Sequence, residues 1–329
     1  MQRTILVSIY AALLFISLNA CAKTIPSSEA PFTREFLTII PGDTTQQCAL
    51  CFVPKGEIRG AIVLLSGFGT SHPVETEEET DIPGAAAKKG FLTIIPQLGD
   101  WSTLYLDSAS QQALERVLQT MMEKYHLQGK PLALGGFSLG GSGAILYAER
   151  ALRGVSMLRP NALFAIDPPL DFERFTHNAA KAVQRLHLDR IKDVRKNESL
   201  YITTALAQAF GGRGIYANPA FRDASPYIRN DTTLANIRSL VGLPLRLYHE
   251  PDYRYWRERD ADHDFQTNIL DQSAMIADLH SLGSTNATLI LTEGKGFRKR
   301  EKNRRHPHSW SIVDAEELVQ WIESNLAKK

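Results

Sequence analysis

The chain has 329 residues, 43% hydrophobic and 22% charged, which suits one large α/β domain or two small ones. Its formal net charge is only +1, so there is no general electrostatic reason to expect a nucleic-acid partner. No helix-turn-helix, finger or RNA-binding motif and no fixed-period repeat is visible.

At the N-terminus, Arg3 supplies a positive charge and Ile5 to Leu18 is nearly all apolar. A helix needs about 20 such residues to cross a bilayer. The shorter run suits a secretory signal over residues 1–20, with a small residue before the cut. The segment ends Leu18-Asn19-Ala20-Cys21, which resembles a bacterial lipobox. That resemblance implies acylation of Cys21, a membrane anchor, and residence in the cell envelope, periplasm or outer membrane. A cleaved signal without lipid and a buried N-terminal helix are the alternatives. Residues 21–32 then read as a short polar tether before a domain over 33–329.

Two further cysteines, Cys48 and Cys51, lie in QQCALCFV, which reads as a strand. Residues three apart on a strand point to opposite faces, which argues against a shared disulfide or metal and for core packing. Strands are expected at Phe36–Ile40, Cys48–Val53 and Ala61–Leu65, the last a continuous apolar run typical of a buried central strand. A helix over Gly84–Lys89 leads to a strand over Phe91–Ile95. Asp107 and Ser108 cap a long amphipathic helix to about Tyr125. A strand over Pro131–Gly135, a helix to about Leu152 and a strand over Ala162–Ile166 follow. Residues 171–240 break the alternation and read as a helical cap or lid, with a Gly-rich stretch at Gly211-Gly212-Arg213-Gly214. The βα pattern resumes with a strand over Leu245–His249, a helix over Phe265–Leu282, a strand over Ala287–Thr292 and a helix over Ile312–Leu326. Strands alternating with helices predict an α/β fold built on a mostly parallel central sheet.

Gly136-Phe137-Ser138-Leu139-Gly140 matches G-x-S-x-G between an apolar strand and a helix, the context that a nucleophile elbow requires. Side chains two residues before and after the serine would collide with the neighbouring elements, and Gly136 and Gly140 have none. A glycine-rich turn with a bystander serine is the alternative. On these residues the chain resembles serine esterases of the α/β-hydrolase superfamily, over roughly residues 45–329. The resemblance implies an oxyanion hole made by the N–H of Leu139 and one from the loop Ser66-Gly67-Phe68-Gly69, assigned to Phe68 with Gly69 as competitor.

The family order is Ser, acid, His. It points to Asp252, just past the strand at 245–249, with Glu250 as competitor; Asp260, Asp262 and Asp264 read as turn or cap residues. The base is then His308, in His306-Pro307-His308-Ser309-Trp310, with His306 as runner-up. The His306/His308 pair has no evident third metal ligand, and His72 and His249 read as structural or pocket-lining. The expected activity is hydrolysis of small-molecule or polymer carboxylic esters through an acyl-enzyme. A peptidase, an amidase or an acyltransferase would use the same residues, and a non-catalytic surface lipoprotein is the alternative outside enzymes. No nucleotide or flavin motif is present, so no cofactor is implied. Lys295–Arg305 carries seven basic residues and one acid; it reads as a solvated loop, or as a surface for anionic substrates or membranes.

Overall fold

The computed structural model describes residues 30–39, 47–100, 102–178, 206, 210, 219–260 and 268–326. The expected signal segment, the tether up to residue 29, Cys21, the Gly-rich stretch at 211–214 and much of the 171–240 insertion lie outside the described residues.

Eight strands form one sheet in the order β1-β2-β4-β3-β5-β6-β7-β8. They are β1 Phe32–Thr38, β2 Cys48–Pro54, β3 Gly60–Leu65, β4 Phe91–Gln97, β5 Leu132–Phe137, β6 Ala162–Ile166, β7 Leu245–His249 and β8 Ala287–Leu291. The first two pair antiparallel, and every neighbour from β4 to β8 is parallel. All residues of β3, β4 and β6 are buried, as both faces of a helix-covered parallel strand must be. β1 begins four residues earlier than its apolar content suggests, because its whole length pairs with β2 at the sheet edge.

The alternation of side chains divides the core in two. Ala49, Cys51, Val63 and Leu134 pack with α3 (Ser108–Lys124) and α4 (Leu139–Leu152). Leu50, Phe52, Ile62 and Phe164 pack on the opposite face with α2 (Ile82–Lys88) and the C-terminal helix. Cys48 and Cys51 are both buried as thiols, and the Cys51 Sγ lies 3.5 Å from Met121 Sδ. Asp107 caps α3 by accepting the Ser110 N–H at 2.9 Å.

The short helix α1 (Pro73–Glu79) was not legible in the sequence. It is started by Pro73 and by His72, whose Nδ1 accepts the Val74 N–H at 3.3 Å. Later come α5 (Pro219–Ala224), α6 (Tyr253–Asp260), α7 (Ile269–Ser281) and α8 (Ala315–Leu326). The basic run folds as a small hairpin of β9 (Phe297–Arg298) and β10 (Arg304–Arg305). Its charge meets the acidic helix α1. Lys299 Nζ pairs with Asp81 at 2.7 Å and Arg300 with Glu78 at 3.1 Å. Arg300 also pairs with Glu75, and the Glu79 carboxylate accepts the Lys299 and Arg300 N–H groups at 2.9 and 3.0 Å. The reading of this run as an open anionic-surface contact is thereby weakened, since four acids of its own chain face it.

One buried charge site has a thermodynamic consequence. Glu149, on α4, is fully buried, and neither carboxylate oxygen has a hydrogen-bond partner among the described residues. Burial pushes its carboxyl well above the usual range, opposed only by attraction from Arg153. The folded chain thus holds a proton that the unfolded chain releases above the ordinary glutamate range, so this site lowers stability as pH rises. Glu149→Gln is expected to raise Tm by about 2 °C or more near pH 8, with the gain vanishing near pH 4. Thermal unfolding followed by circular dichroism checks this; a gain independent of pH would contradict it.

Candidate active site

β5 runs into α4 through Ser138, whose backbone sits at φ 54, ψ −128, a left-handed conformation that costs a non-glycine residue about 1–3 kcal/mol. The turn can be that tight because of its glycines. A methyl on Gly140 would lie 2.2 Å from the Ser66 carbonyl oxygen, and one on Gly136 would lie 2.6 Å from the Gly140 carbonyl carbon. Both obstacles are backbone and cannot move aside. The Ser138 N–H donates to the Ile166 carbonyl at 2.9 Å, which fixes the turn against the end of β6. Ser138 is half-buried, with its side chain available at the C-terminal edge of the sheet.

His308 Nε2 lies 3.0 Å from Ser138 Oγ. Its ring leans on Phe137, with centroids 4.5 Å apart, and Phe137 in turn contacts Trp310. The neighbouring His306 is buried; its Nδ1 accepts the His308 N–H at 3.2 Å, and its ring contacts Tyr255 and Trp256. Ser138 and His308, expected to meet, are brought together.

Asp252 is not part of this arrangement. Its Oδ1 accepts the Tyr255 N–H at 2.9 Å, capping α6, and its Oδ2 pairs with Arg305 at 2.6 Å. Glu250, the other candidate, accepts the N–H groups of Lys295 and Gly296 at 2.8 and 2.9 Å and also pairs with Arg305. Both acids after β7 are consumed in holding α6 and the hairpin that precedes His306 and His308. The carboxylate on His308 is Asp167, one strand earlier, at the tip of β6: its Oδ2 lies 2.6 Å from His308 Nδ1. The sequence does carry a signal for it, an acid directly after the fully buried run Ala162–Ile166, which pairs with β5. Asp167 satisfies the order Ser, acid, His as well as Asp252 does; the expectation went to Asp252 because it placed the acid just past the strand that follows the insertion.

Asp167 is nearly fully buried, at a left-handed backbone angle, φ 48, with its N–H donated to the Tyr248 carbonyl at 2.8 Å. Burial pushes its carboxyl up, but the imidazoles of His249 and His308, with their hydrogen bonds, outweigh that and hold it well below the usual carboxylate range. It is an anion at any working pH, suited to hold His308 in the tautomer that presents a bare Nε2 to Ser138.

The expected oxyanion donors occupy suitable elements. Leu139 is the first residue of α4, so its N–H has no acceptor within the helix. Phe68 is half-buried in the turn after β3, where the Thr70 N–H donates to the Gly67 carbonyl at 3.4 Å. A methyl on Gly67 would strike the Phe137 ring at 2.8 Å, which places this loop directly beside the elbow. The competitor Gly69 is exposed, at φ 84. Among the described residues no group of three or more His, Cys, Asp or Glu side chains is placed to hold a metal ion.

No protein-family model and no curated protein sequence matches the chain. Solved structures do match it. An esterase of the bacterial hormone-sensitive lipase family superposes with a TM-score of 0.53 at 18% identity, covering 91% of this chain and 84% of that one. An S-formylglutathione hydrolase from Agrobacterium tumefaciens gives 0.55 at 14% identity, over 91% of this chain and 97% of that one. An acylaminoacyl peptidase from Pyrococcus horikoshii gives 0.55 at 13% identity, over 90% of this chain but 41% of that much longer one. The order of the eight strands, the strained serine turn between β5 and α4 and these likenesses agree: the chain has the α/β-hydrolase fold.

Proposed function

We propose that the chain is a serine hydrolase that cleaves carboxylic esters through an acyl-enzyme, with Ser138 as nucleophile, His308 as general base and Asp167 as the acid. The observation that carries this reading is the unbroken line Ser138–His308–Asp167, with links of 3.0 and 2.6 Å. As Ser138 Oγ attacks the ester carbonyl, its proton passes to His308 Nε2. The charge on the resulting imidazolium is balanced by Asp167, and the oxyanion is held by the N–H groups of Leu139 and Phe68. Collapse of the tetrahedral intermediate breaks the ester C–O bond, and His308 returns the proton to the leaving alcohol. Water, deprotonated by His308, then attacks the acyl-enzyme; the second collapse frees the acid and restores Ser138. The positive end of α4 adds to the stabilisation of negative charge at the elbow. Ester hydrolysis is the activity named for one of the structures above, an esterase, and another is named as a hydrolase of S-formylglutathione, a thioester.

The sequence Leu18-Asn19-Ala20-Cys21 after an apolar signal-like run supports export and acylation of Cys21, which would hold the enzyme at a membrane of the cell envelope. Among the described residues no helix is long and apolar enough to cross a membrane.

Two predictions separate this reading from its neighbours. Asp167→Asn is expected to lower kcat/KM on a short-chain p-nitrophenyl ester by about 10³–10⁴-fold, while Asp252→Asn stays within about threefold of wild type. The reverse ranking would return the acid's role to Asp252. For the anchor, the full chain expressed in a bacterium should incorporate labelled palmitate and fractionate with membranes, and Cys21→Ala should lose the label.

A further inference from the structure

Asp167 serves two histidines. Its Oδ2 meets His308, and its Oδ1 lies 2.7 Å from Nδ1 of His249, the last residue of β7. The same Oδ1 accepts Gln272 Nε2 at 3.1 Å and Asn268 Nδ2 at 3.2 Å. His249 is only 2% exposed, and its Nε2 has no hydrogen-bond partner among the described residues. A buried ring nitrogen without a partner costs about 1–3 kcal/mol, so an apolar ring would suit mere packing better than imidazole. What imidazole adds is the Nδ1–H aimed at the carboxylate.

We infer that His249 is a positioning residue for the proposed triad: from the tip of β7 it locks the Asp167 carboxylate so that Oδ2 alone faces His308. This rests on the hydrolase reading above. The argument is geometric. A carboxylate can rotate about its Cβ–Cγ bond and exchange its oxygens. Here rotation would break the contacts to His249, Gln272 and Asn268 together with the one to His308. Gln272 and Asn268 donate at longer distances from α7 and the residue before it, whereas His249 donates at the shortest distance and from the rigid sheet. For both histidines to donate to Asp167, each must carry a proton on Nδ1, and in the neutral ring of His308 this leaves Nε2 to accept from Ser138.

The test compares wild type with His249→Phe, which keeps the ring and loses the donor, and with His249→Asn, whose amide nitrogen overlays Nδ1. His249→Phe should lower kcat by about 10–100-fold with KM within about twofold, and His249→Asn should recover most of it. Proton NMR supplies a readout that needs no turnover. Wild type should show two far-downfield imidazole N–H signals; His308→Ala removes one, and His249→Phe removes the other and shifts the survivor. If His249→Phe does not fold, His249→Asn should exceed His249→Gln, whose nitrogen overlays Nε2; equal losses would overturn the inference. Unchanged kcat with an unmoved His308 signal in His249→Phe would make His249 a packing residue. A wild type with both downfield signals but no esterase activity would sink the hydrolase reading while the two-histidine carboxylate stood.

Discussion

The structure at the C-terminal edge of the sheet depends on one constraint: a carboxylate, Asp167, kept ionised where water scarcely reaches it. An isolated charge in such a place is costly enough that it would take up a proton. It is retained because four side chains donate to it, from β7, from the start of α7 and from the loop before α8. Those donors in turn fix their own elements. The left-handed turn at Asp167 lies beside the left-handed turn at Ser138, and the two are tied by the hydrogen bond from the Ser138 N–H to the Ile166 carbonyl. Ser138 and Asp167 are thus referred to two adjacent parallel strands, and His308 reaches both of them from the loop before α8.

A second layer of charge holds the loop that carries His308. Arg305 pairs with both Glu250 and Asp252, while Glu250 also binds the backbone of Lys295 and Gly296. The far end of the same hairpin is clasped to α1, the helix that follows the proposed oxyanion loop. Each exposed pair in that clasp is worth about 0–1 kcal/mol, but together they bind the two sides of the site. Arg305 with buried Glu250 is the stronger link, since the Glu250 carboxylate has three other donors and almost no exposure.

Much of this was legible in the sequence. The apolar runs that became β3, β6 and β7 have the composition of fully buried strands, and the glycines around Ser138 announce a turn too tight for side chains. His308 follows from its place before the last amphipathic helix. What failed was the acid, because a carboxylate's role is set by which partner reaches it. Asp167 and Asp252 both follow an apolar strand, and only the fold shows that Arg305 and the start of α6 claim Asp252. The basic run was ambiguous for a similar reason: its acidic partners on α1 and just after it lie more than 200 residues away. The second histidine of the carboxylate, His249, had no local signal, since its meaning lies entirely in the register of β7 against β6.

The central claim is that Ser138 is an activated nucleophile. The most direct measurement is intact-mass analysis and peptide mapping of the folded chain after exposure to a fluorophosphonate, which reacts with a serine only when a base activates it. The account predicts one adduct, on Ser138, and its loss in His308→Ala. A folded wild type that stays unmodified, or that carries its adduct on another residue, would contradict it.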